Sequence, residues 1–313
     1  MSATNSRFAR YAWFFTAYLI VVILFGAWVR ITHSGAGCGS HWPTCNGEIV
    51  PPAPSLETMI EYTHRLTSGL CGLLGLALVG WAARSFGASS AVFRAAAATF
   101  VFLMIEAGIG AGIVLRELVA DNDSVMRAVA VSIHLTNTLL LTGFASYTAW
   151  LASGGRRGAA PIERGAGALA AGLLALVAMS MAGAVTALGD TLFPIEPALG
   201  PGLLDKVSAD LSAANHFLVR LRALHPVVAV AGAAYLAWLF WPGRREGWAR
   251  MALIALAAEL AIGVANIGLA APGWMQLIHL AAAHIVWIAT VLASLEAVAA
   301  PEPSAAAAVA ARA

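Results

Sequence analysis

Charged residues make up only 11% of this 313-residue chain, against roughly 25% in a soluble globular domain. That shortage excludes an ordinary water-soluble fold. A hydrophobic share of 60% and a mean hydropathy of +0.80 point instead to a chain built for lipid. The excess of base over acid is small as well, with a net charge of +2, so a nucleic-acid role finds no support. Three cysteines are too few for a disulfide scaffold, although Cys38 and Cys45 lie close together and need an explanation of their own. The first apolar run is expected to be a retained span rather than a cleavable leader. It follows Arg7 and Arg10, but it exceeds the roughly 7–15 residues of a signal-peptide core and no small-residue cleavage site follows it.

What is present is a series of apolar runs, each near the 20 or so residues a membrane helix needs. Eight are expected, over about 11–31, 61–83, 92–115, 128–151, 165–188, 214–241, 249–271 and 275–298. The connections alternate. Those after the second, fourth and sixth runs carry arginines: Arg84 and Arg94; Arg156, Arg157 and Arg164; Arg244, Arg245 and Arg250. Those after the first, third and fifth carry acids, among them Glu57, Asp121, Asp123, Asp190, Glu196, Asp205 and Asp210. The arginine bias places the first set and both termini in the cytoplasm, giving a multi-pass protein of the cell (inner) membrane.

The two halves echo each other. Gly26-Ala27 recurs as Gly183-Ala184, Glu106 as Glu259 with a glycine four residues on in each case, His64 as His225, and His134 as His279. The offsets of 157, 153, 161 and 145 residues describe a diverged repeat of four spans. An even number of spans makes the repeats parallel. The expected fold is an all-α integral membrane protein, with eight transmembrane helices forming two pseudo-symmetric four-helix bundles. The organisation read from this is an N-terminal half over 1–151, a cytoplasmic linker over 152–162, a C-terminal half over 163–298 and a disordered low-complexity tail over 299–313.

Four histidines stand near the heads of the even-numbered spans, His64 and His279 about one turn in, His134 and His225 two or three. A single such histidine is commonly a packing residue; four at repeat-related positions imply a task, because ionisable groups in lipid face the interior. Two imidazoles per bundle are too few for a structural zinc, which takes four protein ligands. They suit a six-coordinate haem iron held between helices. Glycines 69, 72 and 75 after His64, and 108, 110 and 112 before His134, leave room for a flat ring, though small residues serve plain helix packing equally well. The halves differ in one respect. Glu61 precedes His64 by three residues, on the same helical face, whereas Arg222 precedes His225 by three. A carboxylate beside a haem can take a proton or stabilise a cation; Arg65, Arg220 and Arg222 suit haem propionates. The first half therefore reads as reactive and the second as a holder, with helix-end anchoring the plainer account of Glu61 and Arg65.

The loop HSGAGCGSHWPTCNG lies on the outer side, where Cys38 and Cys45 are free to pair, and its glycines allow the chain to bend back. A zinc site using both cysteines with His33 or His41 is the alternative, but no CxxC knuckle is present. Structural and redox-exchanging disulfides read alike in sequence. Cys71, within the second span, is a packing residue, and His284 rivals His279 as the ligand in the eighth span.

Together, VRITHSGAGCGSHWPTCNG, IEYTHR, GAVTALGDTLFP, LRALHP and QLIHL resemble the haem A synthase family along nearly the whole chain. The resemblance implies oxidation of a ring methyl of haem O to a formyl group through hydroxylated intermediates. It implies that the substrate haem is held by His64 and His134 and a haem b by His225 and His279. The family's essential carboxylate maps onto Glu61 and its loop cysteines onto Cys38 and Cys45. It further implies supply of haem A to terminal oxidases, association with the haem O synthase and an electron acceptor whose identity the sequence does not give. One departure is plain: the outer loop of the second half, about Gly189 to Ala213, has no cysteine. Two rival functions share these residues. A di-haem b-type electron-transfer cytochrome would use the same four histidines. A transporter would use Glu106 and Glu259 as ion sites, against their plainer reading as polar contacts inside the bundle.

Overall fold

The computed structural model describes residues 6–155, 165–194, 210–244 and 246–298. The expected tail over 299–313, most of the linker, and the loop positions Glu196 and Asp205 lie outside the described residues. The described chain is helical, without a strand beyond one isolated bridge between Cys45 and Glu48. Its helices are α1 (Ser6–Ile31), α2 (Leu56–Phe86), α3 (Ala91–Leu115), α4 (Val125–Ala152), α5 (Ala166–Leu192), α6 (Phe217–Arg222), α7 (Leu224–Phe240), α8 (Gly247–Gly268) and α9 (Gly273–Ala297). With α6 and α7 taken as one, they give eight spans long and apolar enough to cross a membrane.

Local chemistry sets several boundaries. Ser55, Ser90 and Ser124 each accept a hydrogen bond from the main-chain N–H three residues on, capping α2, α3 and α4. The cap at Ser55 starts α2 five residues before the expected 61. His64 therefore lies eight residues past the first residue of its helix rather than one turn in, and His134 nine past Val125. The break between α6 and α7 at Ala223 falls where Pro226 offers no N–H to the carbonyl of Arg222 and crowds it. Large side chains such as Leu73 and Val264, 67% and 72% exposed, are solvated by lipid rather than water.

Two large apolar cores form, beside a small cluster of Ala128, Leu188 and Leu218. One gathers Phe8, Phe15, Leu78 and Leu141 from α1, α2 and α4; the other gathers Leu176, Leu236, Leu239 and Leu292 from α5, α7 and α9 together with Leu139 and Trp150 of α4. Helix α4 belongs to both and packs on α1, α3, α5 and α9. Trp287 of α9 donates from Nε1 to the carbonyl of Leu139 at 2.7 Å, across the line where the halves meet. The helices carrying His134 and His279 are thus the central pair.

A second tie joins the halves toward the disulfide-loop side. Arg30, one turn after Gly26, donates to the Ala187 carbonyl at 2.6 Å, one turn after Gly183. It also bonds Thr191 and reaches Gln276 Oε1 at 3.0 Å. Nothing in the sequence reading singled out Arg30; an arginine inside an otherwise apolar run was the available signal. Replacing it with leucine removes three hydrogen bonds, and hydrogen bonds from a charged group contribute about 2 kcal/mol each. Arg30→Leu is expected to lower the melting temperature in detergent clearly, with Arg30→Lys intermediate because a single ammonium cannot bridge all three partners.

Candidate functional site

Each of the four expected histidines lies over a glycine. A methyl group added to Gly26 would stand 3.1 Å from His64 Cε1, and one on Gly183 would stand 3.0 Å from His225 Cε1. On the other two helices the distances are 3.8 Å from Gly110 to His134 Cε1 and 3.2 Å from Gly263 to His279 Cε1. At Gly26, Gly183 and Gly263 glycine is what allows an imidazole to lie this close to a neighbouring helix, whereas the separation at Gly110 is ordinary contact. The repeat of Gly26 and Gly183 was legible in the sequence without its purpose. Of the six glycines expected to make room, Gly110 is the one beside His134; Gly69, Gly72, Gly108 and Gly112 face open space, and Gly75 packs on Leu103 and Phe100.

The structure brings the histidines together in pairs. The rings of His225 and His279 face each other with centroids 6.2 Å apart, nearly perpendicular. A metal–imidazole bond of about 2 Å on either side of a shared ion puts ring centres roughly 6 Å apart, so this pair fits axial ligation of one metal. His134 lies within electrostatic range of His64, and Phe25 meets the His64 ring edge-on at 5.7 Å. In all four rings Nδ1 is buried and lacks an in-line hydrogen-bond partner. No cluster of three or more His, Cys, Asp or Glu occurs among the described residues. Two imidazoles without further protein ligands suit an iron that brings its own equatorial ring. His284, the rival of His279, is 1% exposed and turns Nδ1 to the carbonyl of Leu280 in its own helix, at 2.9 Å.

Glu106 and Glu259, read from sequence as polar contacts or ion sites, join these pairs directly. Glu106 Oε1 lies 3.3 Å from His134 Nδ1, and Glu259 Oε1 lies 3.1 Å from His279 Nδ1.

Above the first pair, the loop and α2 form one polar clamp. Cys38 and Cys45 are joined in a disulfide, and both are fully buried. With these thiols bonded to each other, and His33 paired with Asp121 at 3.0 Å, the alternative zinc set is not assembled. Glu61, 3% exposed, accepts from the Cys38 N–H at 2.8 Å and pairs with Arg65. Arg65 also donates to the carbonyls of His41 and Thr44, at 2.7 and 2.6 Å. Thr58 donates to the Gly37 carbonyl at 2.7 Å. Gly37 itself admits no side chain, since a methyl there would stand 2.5 Å from the Glu57 carbonyl. Glu61 thus touches the disulfide's main chain while sitting one turn before His64.

The second half answers with the reverse arrangement. Arg222 pairs through Nε with Asp190 at 2.8 Å and donates to the Phe193 carbonyl at 2.7 Å; Asp210 stands 4.0 Å from its Nη1. Arg220 is exposed on α6. The two arginines expected at propionates here therefore differ, one committed to an aspartate and the other open. His216 leans to the first half, 3.5 Å from Asp123 in the loop after α3.

Eight helices long and apolar enough to cross a membrane, with two of the expected histidines in each half, define a polytopic membrane protein. A family model described as COX15-CtaA, cytochrome oxidase assembly protein, matches residues 9–291, and the chain belongs to that family. Among curated proteins it is 45% identical over 295 residues to a protoheme IX farnesyltransferase of Thermus thermophilus, covering 90% of this chain and 47% of that protein. It is 40% identical over 111 residues to a heme A synthase of Exiguobacterium sibiricum, covering 36% and 37% of the two. A heme A synthase of Symbiobacterium thermophilum matches at 40% over 101 residues, covering 32% and 33%. The chain spans about half the length of the Thermus relative, and the matches to the heme A synthases cover about a third of those proteins.

Proposed function

We propose that the chain is a haem A synthase, an oxidoreductase that converts a ring methyl of haem O to a formyl group through hydroxylated intermediates and supplies haem A to terminal oxidases. One observation carries this reading: two histidines over two glycines in each half, with an acid one turn from the histidine in the first half only. The names of the Exiguobacterium and Symbiobacterium relatives support it. The Thermus relative's name transfers less directly, because the match occupies 47% of that protein. Its stated reaction, farnesyl transfer to protohaem, is the class that would furnish the substrate here, which supports association with a haem O synthase.

In this reading His64 and His134 hold the iron of haem O, and His225 and His279 hold a haem b. Haem b, when bound, supplies a one-electron relay toward an acceptor not yet known. The remaining work falls to side chains. Glycines 26, 110, 183 and 263 seat the imidazoles. Glu61, fixed by the Cys38 N–H and Arg65, is preorganised to stabilise positive charge developing at the methyl carbon or to take a proton from an attacking water. The Cys38–Cys45 disulfide closes the loop that Glu61 anchors. Of the three arginines read for propionates, Arg220 is exposed, while Arg65 and Arg222 would have to share their existing partners Glu61 and Asp190 with one. The loop face lies on the outer side of the cell membrane and both termini lie in the cytoplasm.

The test is expression in a host that makes haem O but no haem A, followed by extraction of noncovalent haem and its identification by chromatography and mass. Haem B together with haem A or a hydroxylated haem O is the expected result. Haem B alone, at two per chain with haem O present in the cells, would overturn the proposal in favour of a di-haem electron carrier.

A further inference from the structure

The two histidines of each pair are held differently. His64 and His225 rest on a glycine, and among the described residues neither ring has a carboxylate within ion-pair distance, unlike His134 and His279. His134 and His279 are gripped at two points from one neighbouring helix: a carboxylate at Nδ1 and, four residues on, the glycine under Cε1. In α3 these are Glu106 and Gly110; in α8 they are Glu259 and Gly263. A carboxylate at membrane depth is costly unless it has a partner, and in both halves the corresponding histidine Nδ1 is among the groups it meets. Both contacts lie within ion-pair distance, 3.3 and 3.1 Å, although neither has hydrogen-bond geometry as it stands.

We infer that Glu106 and Glu259 are positioning residues for His134 and His279. By accepting from Nδ1–H, each fixes the tautomer that leaves Nε2 for iron, and each strengthens the imidazole as a donor. The inference rests on the haem ligation proposed above. It also goes beyond it, since it makes the two ligands of each iron chemically unequal. The halves are graded. Glu106 shares its charge with Asn137 Nδ2 at 2.6 Å and with the Thr138 hydroxyl, whereas Glu259 Oε2 is buried without a hydrogen-bond partner among the described residues. Less of the Glu259 charge is spent elsewhere, so its hold on the ligand is the stronger of the two.

The experiment compares wild type, Glu259→Gln, Glu259→Ala and Glu106→Gln, each as the full chain purified with its haem. Haem occupancy and the midpoint potential of each haem are read by spectroelectrochemistry. Glu259→Gln should raise the potential of the His225/His279 haem, because a neutral acceptor stabilises ferric iron less. Glu259→Ala should also weaken haem retention by about 10-fold to 100-fold, the usual cost of losing such a partner. Glu106→Gln should leave the second centre unmoved and shift the first by less. Wild-type potential and occupancy in both Glu259 variants would overturn the inference. A wild-type chain without haem at this centre would overturn the ligation reading, and the inference with it. Should the variants fail to accumulate, electron–nuclear double resonance of the ferric wild type decides. One strongly hydrogen-bonded Nδ1 proton out of the two axial imidazoles supports the inference, and two equivalent protons contradict it.

Discussion

A valine at Gly183 is expected to strip the second centre of its haem and leave the first centre loaded. The first carbon of any side chain there already stands 3.0 Å from His225 Cε1. That is closer than ordinary contact, and valine adds two methyl groups beyond it. An imidazole free in the bundle could swing aside, but one bound to iron across from His279 has no such freedom. The ligand geometry, rather than the helix, gives way. The mirror substitution, Gly26→Val, should empty the first centre in the same manner, since Gly26 stands 3.1 Å from the same atom of His64. Haem content per chain and the optical spectrum check both. Full haem content in Gly183→Val would show that the ring does not depend on this seat.

The second large effect concerns Glu61. Glu61→Gln keeps an oxygen for the Cys38 N–H and so should preserve the clamp, but it removes the negative charge one turn from His64. Deleting one preorganised electrostatic contact at a reacting centre costs roughly 10²-fold to 10³-fold in rate. Haem A formation should fall by about that factor, while both haems stay bound and the disulfide stays closed. Haem A made at the normal rate would place Glu61 among the loop anchors alone. A variant that lost its haems as well would point to the clamp, with its ties to Gly37, His41 and Thr44, as the main role.

The sequence made the gross architecture plain, because a membrane helix announces itself by length and apolarity and needs no partner to be recognised. The four histidines, Glu61 and the cysteine pair were legible for a related reason: polar groups stand out against an apolar background. What stayed hidden was how these groups are paired. Glu106 and Glu259 were visible as repeat-related acids, but a contact with His134 or His279 depends on the facing of two helices that sequence spacing does not set. The seating role of Gly26 and Gly183 is not legible in spacing, because each is a lone glycine whose contact lies on another helix, while the denser runs of glycine mostly touch nothing. Arg30 was overlooked because its partners lie 157 residues away and beyond. The start of α2 was placed too late because the Glu57–Glu61 segment is polar, and a serine cap rather than hydrophobicity begins that helix.

The central claim is that each half carries its own haem on its own pair of histidines. Haem counted per chain in wild type, His64→Ala and His225→Ala, with each extracted haem identified, tests it most directly. The account expects two haems in the wild type and one in each variant, with haem B lost from His225→Ala and haem O or its oxidised products lost from His64→Ala. A single haem in the wild type, or loss of both from either variant, would contradict it.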